Sequence, residues 1–168
     1  MIRYNHKNRG FTLLIAVVVT SFLLIVSFVL ANVALKQLLI SNANQQSQYS
    51  FYNADSGTEC ALYWDLTIGT DAFSTTSVDV INCNGEVIST GTQPNIPTNP
   101  ASVSRVGGGG NGAPTSIFMI TFTRGCAIVT VNKAYVSGNL VTTINSKGYN
   151  TCDTTSLRRF ERGITLTY

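Results

Sequence analysis

Hydrophobic positions follow three patterns along this chain. From Phe11 to Leu35 they are almost continuous, and the stretch FTLLIAVVVTSFLLIVSFVLANVAL holds no charge, glycine or proline. As a helix it rises ~38 Å at about 1.5 Å per residue. That exceeds the ~30 Å hydrocarbon core of a bilayer, so the segment is long enough to span with some tilt. Residues 36–65 are more polar, with Gln, Asn, Ser and Ala dominating 41–50 and no glycine or proline before Gly57. Tyr49, Tyr52, Ser56 and Tyr63 recur there at helical intervals. One helix is therefore predicted from Phe11 to about Trp64, ~80 Å long. Its second half is expected to pack on a globular head through the tyrosine stripe, Leu62 and Trp64.

Beyond residue 65 the period shortens to two. Val78 and Val80 form a brief start. Phe118, Ile120 and Phe122 alternate with Thr121 and Thr123, and Thr123-Arg124-Gly125 reads as a turn before Ala127, Val129 and Val131. Leu140, Thr142 and Ile144 form another strand, and Phe160, Ile164, Leu166 and Tyr168 a last one. A single antiparallel sheet with one face on the helix would bury this set. The expected fold class is α+β. The expected organisation is a leader over 1–10, an apolar helix over 11–35, an amphipathic continuation over 36–65 and a β head over 66–168. Residues 90–115 carry all four prolines and Gly107-Gly108-Gly109-Gly110-Asn111-Gly112, and are expected to form a flexible loop. The glycine run formally satisfies a nucleotide-binding spacing. It lacks the preceding strand and following helix that a phosphate site needs.

Charge sharpens the picture. Only 11% of residues are charged, against about 25% in ordinary soluble domains. Arg3, Lys7 and Arg9 precede the apolar stretch, and no acid occurs before Asp55. Without those three, the 11 basic residues fall to 8, which matches the 8 acids, so the net +3 belongs to the first ten residues. Positive charge before an apolar span places the N-terminus in the cytoplasm and the head outside. The single histidine, His6, lies in the same decapeptide. Its removal would leave no imidazole for a catalytic triad or for metal ligation. No catalytic residue, metal site or cofactor is expected, and the chain does not read as an enzyme.

By composition alone the apolar segment could be a signal-anchor, or a cleaved secretory signal of unusual length with small residues at Ala31 and Ala34. The junction Lys7-Asn8-Arg9-Gly10-Phe11-Thr12-Leu13-Leu14-Ile15 narrows this. A basic leader ending in glycine, then Phe-Thr-Leu opening an apolar helix, resembles the signal of type IV prepilins and pseudopilins. The resemblance covers about residues 3–64. It implies cleavage between Gly10 and Phe11 by a membrane prepilin peptidase, and N-methylation of Phe11. It implies residence in the inner membrane as a single-pass protein, then assembly with other pilin subunits through a membrane assembly platform into a fimbrial filament at the cell surface.

Two departures bear on the role. Major subunits of that family carry Glu at the fifth mature position, where this chain has Ile15. The family's mid-helix proline is also missing, with Asn32 at the matching place. A subunit without the glutamate cannot neutralise a neighbour's terminal amine through it, and an unpaired buried charge is costly. A minor subunit of the PilX type, near a filament tip or priming assembly, is the expected role. The segment from Ala54 to Leu62 also resembles that type. A pseudopilin of a secretion or DNA-uptake system, and a surface adhesin, are the alternatives.

Cys60, Cys83, Cys126 and Cys152 all lie in the part placed outside, with no metal-ribbon spacing. An even count there suggests two disulfides, and three connectivities are open. Cys60–Cys83 and Cys126–Cys152 are the favoured pairs, and the second would resemble the C-terminal disulfide loop of many pilins. Arg158, Arg159 and Arg162 beside Glu161 are candidates for contact with an anionic surface or nucleic acid. Equally they suit a solvated, partly paired strand edge.

Overall fold

The computed structural model describes residues 9–67, 71–92, 103–110 and 114–168. Helix α1 (Arg9–Leu66) opens the chain. Two compact units divide after Ala43.

In the first unit every described side chain from Phe11 to Asn42 is exposed. The polar residues of the apolar run turn their donors back to their own helix. Thr20 Oγ1 donates to the Ala16 carbonyl at 2.9 Å, Ser21 Oγ to Val18 at 2.8 Å, Ser27 Oγ to Leu23 at 2.8 Å and Asn32 Nδ2 to Phe28 at 3.1 Å. Such back-bonding satisfies hydroxyls and an amide without water. Helix α1 is thus long and apolar enough to cross a membrane.

In the second unit the later part of α1 packs on a β head. A hairpin of β1 (Ile81–Cys83) and β2 (Glu86–Ile88) comes first, then a short antiparallel pair, β3 (Gly91–Thr92) and β4 (Val103–Ser104). The main sheet has β5 (Pro114–Thr121), β6 (Cys126–Val136), β7 (Asn139–Tyr149) and β8 (Glu161–Thr167) in sequential antiparallel order. The chain is therefore α+β, with a long N-terminal helix and a four-stranded antiparallel sheet.

The alternation in the strands works as expected. Phe118 and Ile120 on β5, Val129 and Val131 on β6 and Ile144 on β7 are buried in one core with Ala61 of α1, Phe73, Ile81 and Val106. Phe73 stacks on Phe118 with ring centroids 5.9 Å apart. Leu140 departs from its expected burial, because it lies at the exposed tip of the β6–β7 hairpin beside the Ser137-Gly138 turn. Val78 contributes only an isolated bridge to Gly107, and Val80 is exposed.

The helix face that meets the sheet differs from the tyrosine stripe. Tyr52 and Tyr63 are each 62% exposed, while Ser50, Asn53, Ala54, Gly57, Thr58 and Ala61 are buried. Close approach explains the choice. A Cβ on Gly57 would lie 2.9 Å from Val129 Cγ2, and one on Gly148 of β7 would collide with the Ser50 carbonyl and the Ala54 backbone. Aromatic rings do not fit between backbones at that spacing.

The segment read as a flexible loop over 90–115 is also corrected where it is described. Val106 is fully buried. Gly107 N donates to Ser116 Oγ at 2.8 Å, Gly108 N to the Ser74 carbonyl at 2.7 Å and Gly110 N to the Thr75 carbonyl at 3.0 Å. All three glycines have positive φ, which side chains disfavour. The glycines thus let this strip lie tightly on its neighbours. The donors a phosphate would need are spent inside the protein. The remainder of the run, and residues 93–102, lie outside the described residues.

Candidate functional site

The processing junction sits at the start of α1. Gly10 and Phe11 occupy its first turn, while Arg3, His6 and Lys7 lie outside the described residues. First-turn amides have no intrahelical acceptor, and glycine weakens a helix by about 1 kcal/mol relative to alanine. The backbone at Gly10 is therefore the easiest part of α1 to draw into extended form. Phe11 and Ile15 are exposed on the helix. Asn32 leaves the helix continuous, as expected where proline is missing.

Cys60 on α1 is bonded to Cys83 at the end of β1, with Cα atoms 6.0 Å apart. Trp64 Nε1 reinforces the same junction by donating to the Asn82 carbonyl at 2.9 Å. The other favoured pair is corrected. Cys126 and Cys152 are thiols, although they share one apolar cluster with Met119, Ile128 and Tyr149. Burial, and then the adjoining Cys152 sulfur, push the Cys126 thiol far above its ordinary range. Alternation explains the location: Cys126 and Tyr149 face one another across β6 and β7 on the side of the sheet away from the helix. Residues 150–160, between β7 and β8, bring Cys152 against that side.

The arginine group is divided: Arg158 and Arg162 are exposed, while Arg159 turns inward. Arg159 is half-buried and its guanidinium lies 3.6 Å above the centre of the Tyr149 ring, a cation–π arrangement. Arg162 Nε donates to Ser47 Oγ at 2.7 Å. Arg158 is exposed, and its carbonyl accepts from Asn150 Nδ2 at 3.1 Å. Glu161 pairs with Lys147 at 3.2 Å and with none of the arginines. Burial alone would raise the Glu161 carboxyl, but hydrogen bonds from Tyr149 and Lys147 hold it below its ordinary value.

Arg124, a turn residue in the sequence reading, joins this end of the head. Its guanidinium lies 4.9 Å from the Tyr49 ring centre, and Nη1 donates to the Tyr49 hydroxyl at 3.0 Å. Asn53 fixes the turn by donating to the Arg124 and Tyr149 carbonyls, each at 2.8 Å.

At the other end a charged cluster that the sequence reading missed closes the helix onto the sheet. Lys133 Nζ on β6 lies 2.7 Å from Asp65 Oδ1 and 2.5 Å from Asp71 Oδ1. Tyr168 donates its hydroxyl to Asp65 Oδ2 at 2.5 Å. The Lys133 and Asp65 side chains are only 5% and 3% exposed. Burial by itself would lower Lys133, but the two carboxylates outweigh it and hold the ammonium above its ordinary value. The available signal was Lys133 placed at an inward position in register with Val129 and Val131. Among the described residues, no group of three or more His, Cys, Asp or Glu side chains could hold a metal ion.

No family model, no curated protein and no solved structure matches this chain.

Proposed function

We propose that this chain is a minor subunit of a type IV pilus-like filament. It is made as a precursor, cut after Gly10 by a prepilin peptidase and methylated on Phe11. The span is held in the inner membrane with the basic leader inside, and is then passed by an assembly platform into a filament of other pilin subunits. The observation that carries this reading is the two-part helix. Its first part leaves an apolar surface exposed on all sides, with its polar side chains bonded to their own backbone. Its second part buries a face made mostly of small residues, Ser50, Ala54, Gly57, Thr58 and Ala61, against a sheet. The first part suits lipid and, later, the apolar centre of a helical filament, while the second presents a head. Ile15 supports a minor place, since no carboxylate stands there to meet a neighbouring amine.

Co-expression with a prepilin peptidase tests the reading. The expected outcome is a shortened chain whose first residue is Phe11, with Gly10→Leu blocking the cut and leaving membrane insertion intact. An uncut chain, or one cut beyond Ala31, would reject it.

A further inference from the structure

Three exposed cations gather at the end of the head where α1 enters it. Arg124 stacks on Tyr49 and Arg162 bonds Ser47. The Arg158 backbone is tied to Gln46 through Asn150 Nδ2, which reaches both the Gln46 Oε1 and the Arg158 carbonyl at 3.1 Å. Among the described residues none of the three has a carboxylate within salt-bridge distance. The acids of the same segment are occupied: Glu161 by Lys147, and Asp153 Oδ1 by the Thr155 amide at 2.9 Å and hydroxyl at 2.7 Å. No acid lies in the sequence before Asp55 to offset them. Three arginines kept free of counter-charges, with two of them braced by the helix, form a surface for an anion.

We propose that Arg124, Arg158 and Arg162 form a collar that rests on anionic phospholipid headgroups while the subunit waits in the membrane. Chain length decides the partner. Residues 11–40 rise ~45 Å as a helix, which matches the ~40–45 Å of a bilayer with its headgroups. Ser47 follows Ile40 by seven residues, ~10 Å along a helix and no more than ~25 Å in any conformation. In any conformation the chain therefore keeps Ser47, and Arg162 bonded to it, tethered within about three screening lengths of the headgroups, each about 8 Å. A nucleic acid would have to compete with this tethered surface. The collar rests on the membrane-spanning reading of α1 but not on the filament reading.

Hydrogen exchange on the full chain in nanodiscs tests the proposal. One set contains phosphatidylcholine alone, the other phosphatidylcholine with phosphatidylglycerol. The collar predicts that amides in 122–126 and 157–163 exchange about fivefold more slowly over the anionic lipid, the effect of one arginine near such a surface. The difference should vanish at ~0.5 M salt, where screening falls to about 4 Å. It should vanish also in the triple variant R124Q/R158Q/R162Q, and shrink in R158Q alone, whose side chain makes no hydrogen bond or ion pair among the described residues. Equal exchange over both lipids, or a difference that survives the triple variant, overturns the collar. So does stronger protection of the same peptides by short duplex DNA over neutral lipid than by the anionic lipid itself. A chain that does not enter nanodiscs overturns the spanning reading and the collar together. Normal insertion without peptidase processing rejects the filament reading alone.

Discussion

Gly148 of β7 lies directly against Ala54 of α1, so close that a Cβ on the glycine would strike the Ala54 backbone. This contact sets the separation of helix and sheet throughout the head. It explains why the helix meets the sheet with Ser50, Asn53, Ala54, Gly57 and Ala61 and turns its tyrosines outward.

Gly148→Ala should destabilise the head by about 3 kcal/mol, since the clash is with backbone and cannot be relieved by a rotamer change. Gly163→Ala, where the nearest atom to a new Cβ is the Ser146 carbonyl oxygen at 3.9 Å, should stay within about 0.5 kcal/mol of the parent. Thermal unfolding of both variants in the same membrane mimetic checks the pair. Equal losses would mean that the helix is not seated by this contact.

Lys133→Met should cost about 3–5 kcal/mol, because it strands the Asp65 carboxylate in the interior. Asp71→Asn should cost about 1 kcal/mol or less, since Asp71 is largely exposed. Urea unfolding of the two variants orders them, and a larger loss for Asp71→Asn would contradict the arrangement.

The same cluster sets an alkaline limit. The raised Lys133 value means that its contribution is complete below 10.5 and is lost as pH rises through the folded value. Burial, and then the bond to Asp65, raise the Tyr168 phenol above 10.0; burial, and then Glu161, do the same for Tyr149. In the unfolded chain these phenols ionise near 10.0, so folding loses free energy above that pH. All three shifts act in one direction. Tm is expected to be flat from about pH 7 to about pH 9 and to fall above about pH 10. A scan by circular dichroism that stays level above that point would refute the assignment.

Alkylation before and after reduction should separate the cysteines. Cys60 and Cys83 should label only after reduction, and breaking their bridge should cost about 3 kcal/mol for a loop of this size. Cys152 should label in the native chain, with Cys126 far slower because it is buried. Native labelling at Cys60, or protection of both Cys126 and Cys152 until reduction, would overturn this pairing.

The strands were legible because period-two alternation reports one buried face directly, as Phe118, Ile120, Val129, Val131 and Ile144 do. The end-on link of helix to first strand was legible in Cys60 and Cys83. The buried helix face was not, because backbone separation rather than hydrophobicity selects it. Small residues at 50, 54, 57 and 61 held the signal. Two hairpin turns carry a further local signal. Asn84-Gly85 and Ser137-Gly138 each have positive φ at both positions, the geometry that two-residue hairpins favour. The arginines looked like one patch because they are near in sequence. A strand start and a turn send Arg159 onto Tyr149 and Arg162 toward Ser47, while Arg124 joins them from a different hairpin.

Quantitative mass spectrometry of sheared, purified filaments tests the central claim most directly. A minor pilin-like subunit predicts a peptide beginning at methylated Phe11, at a small fraction of the main subunit. An intact Met1 found only in membranes would contradict processing and assembly alike. Abundance equal to the main subunit would contradict the restriction assigned to Ile15.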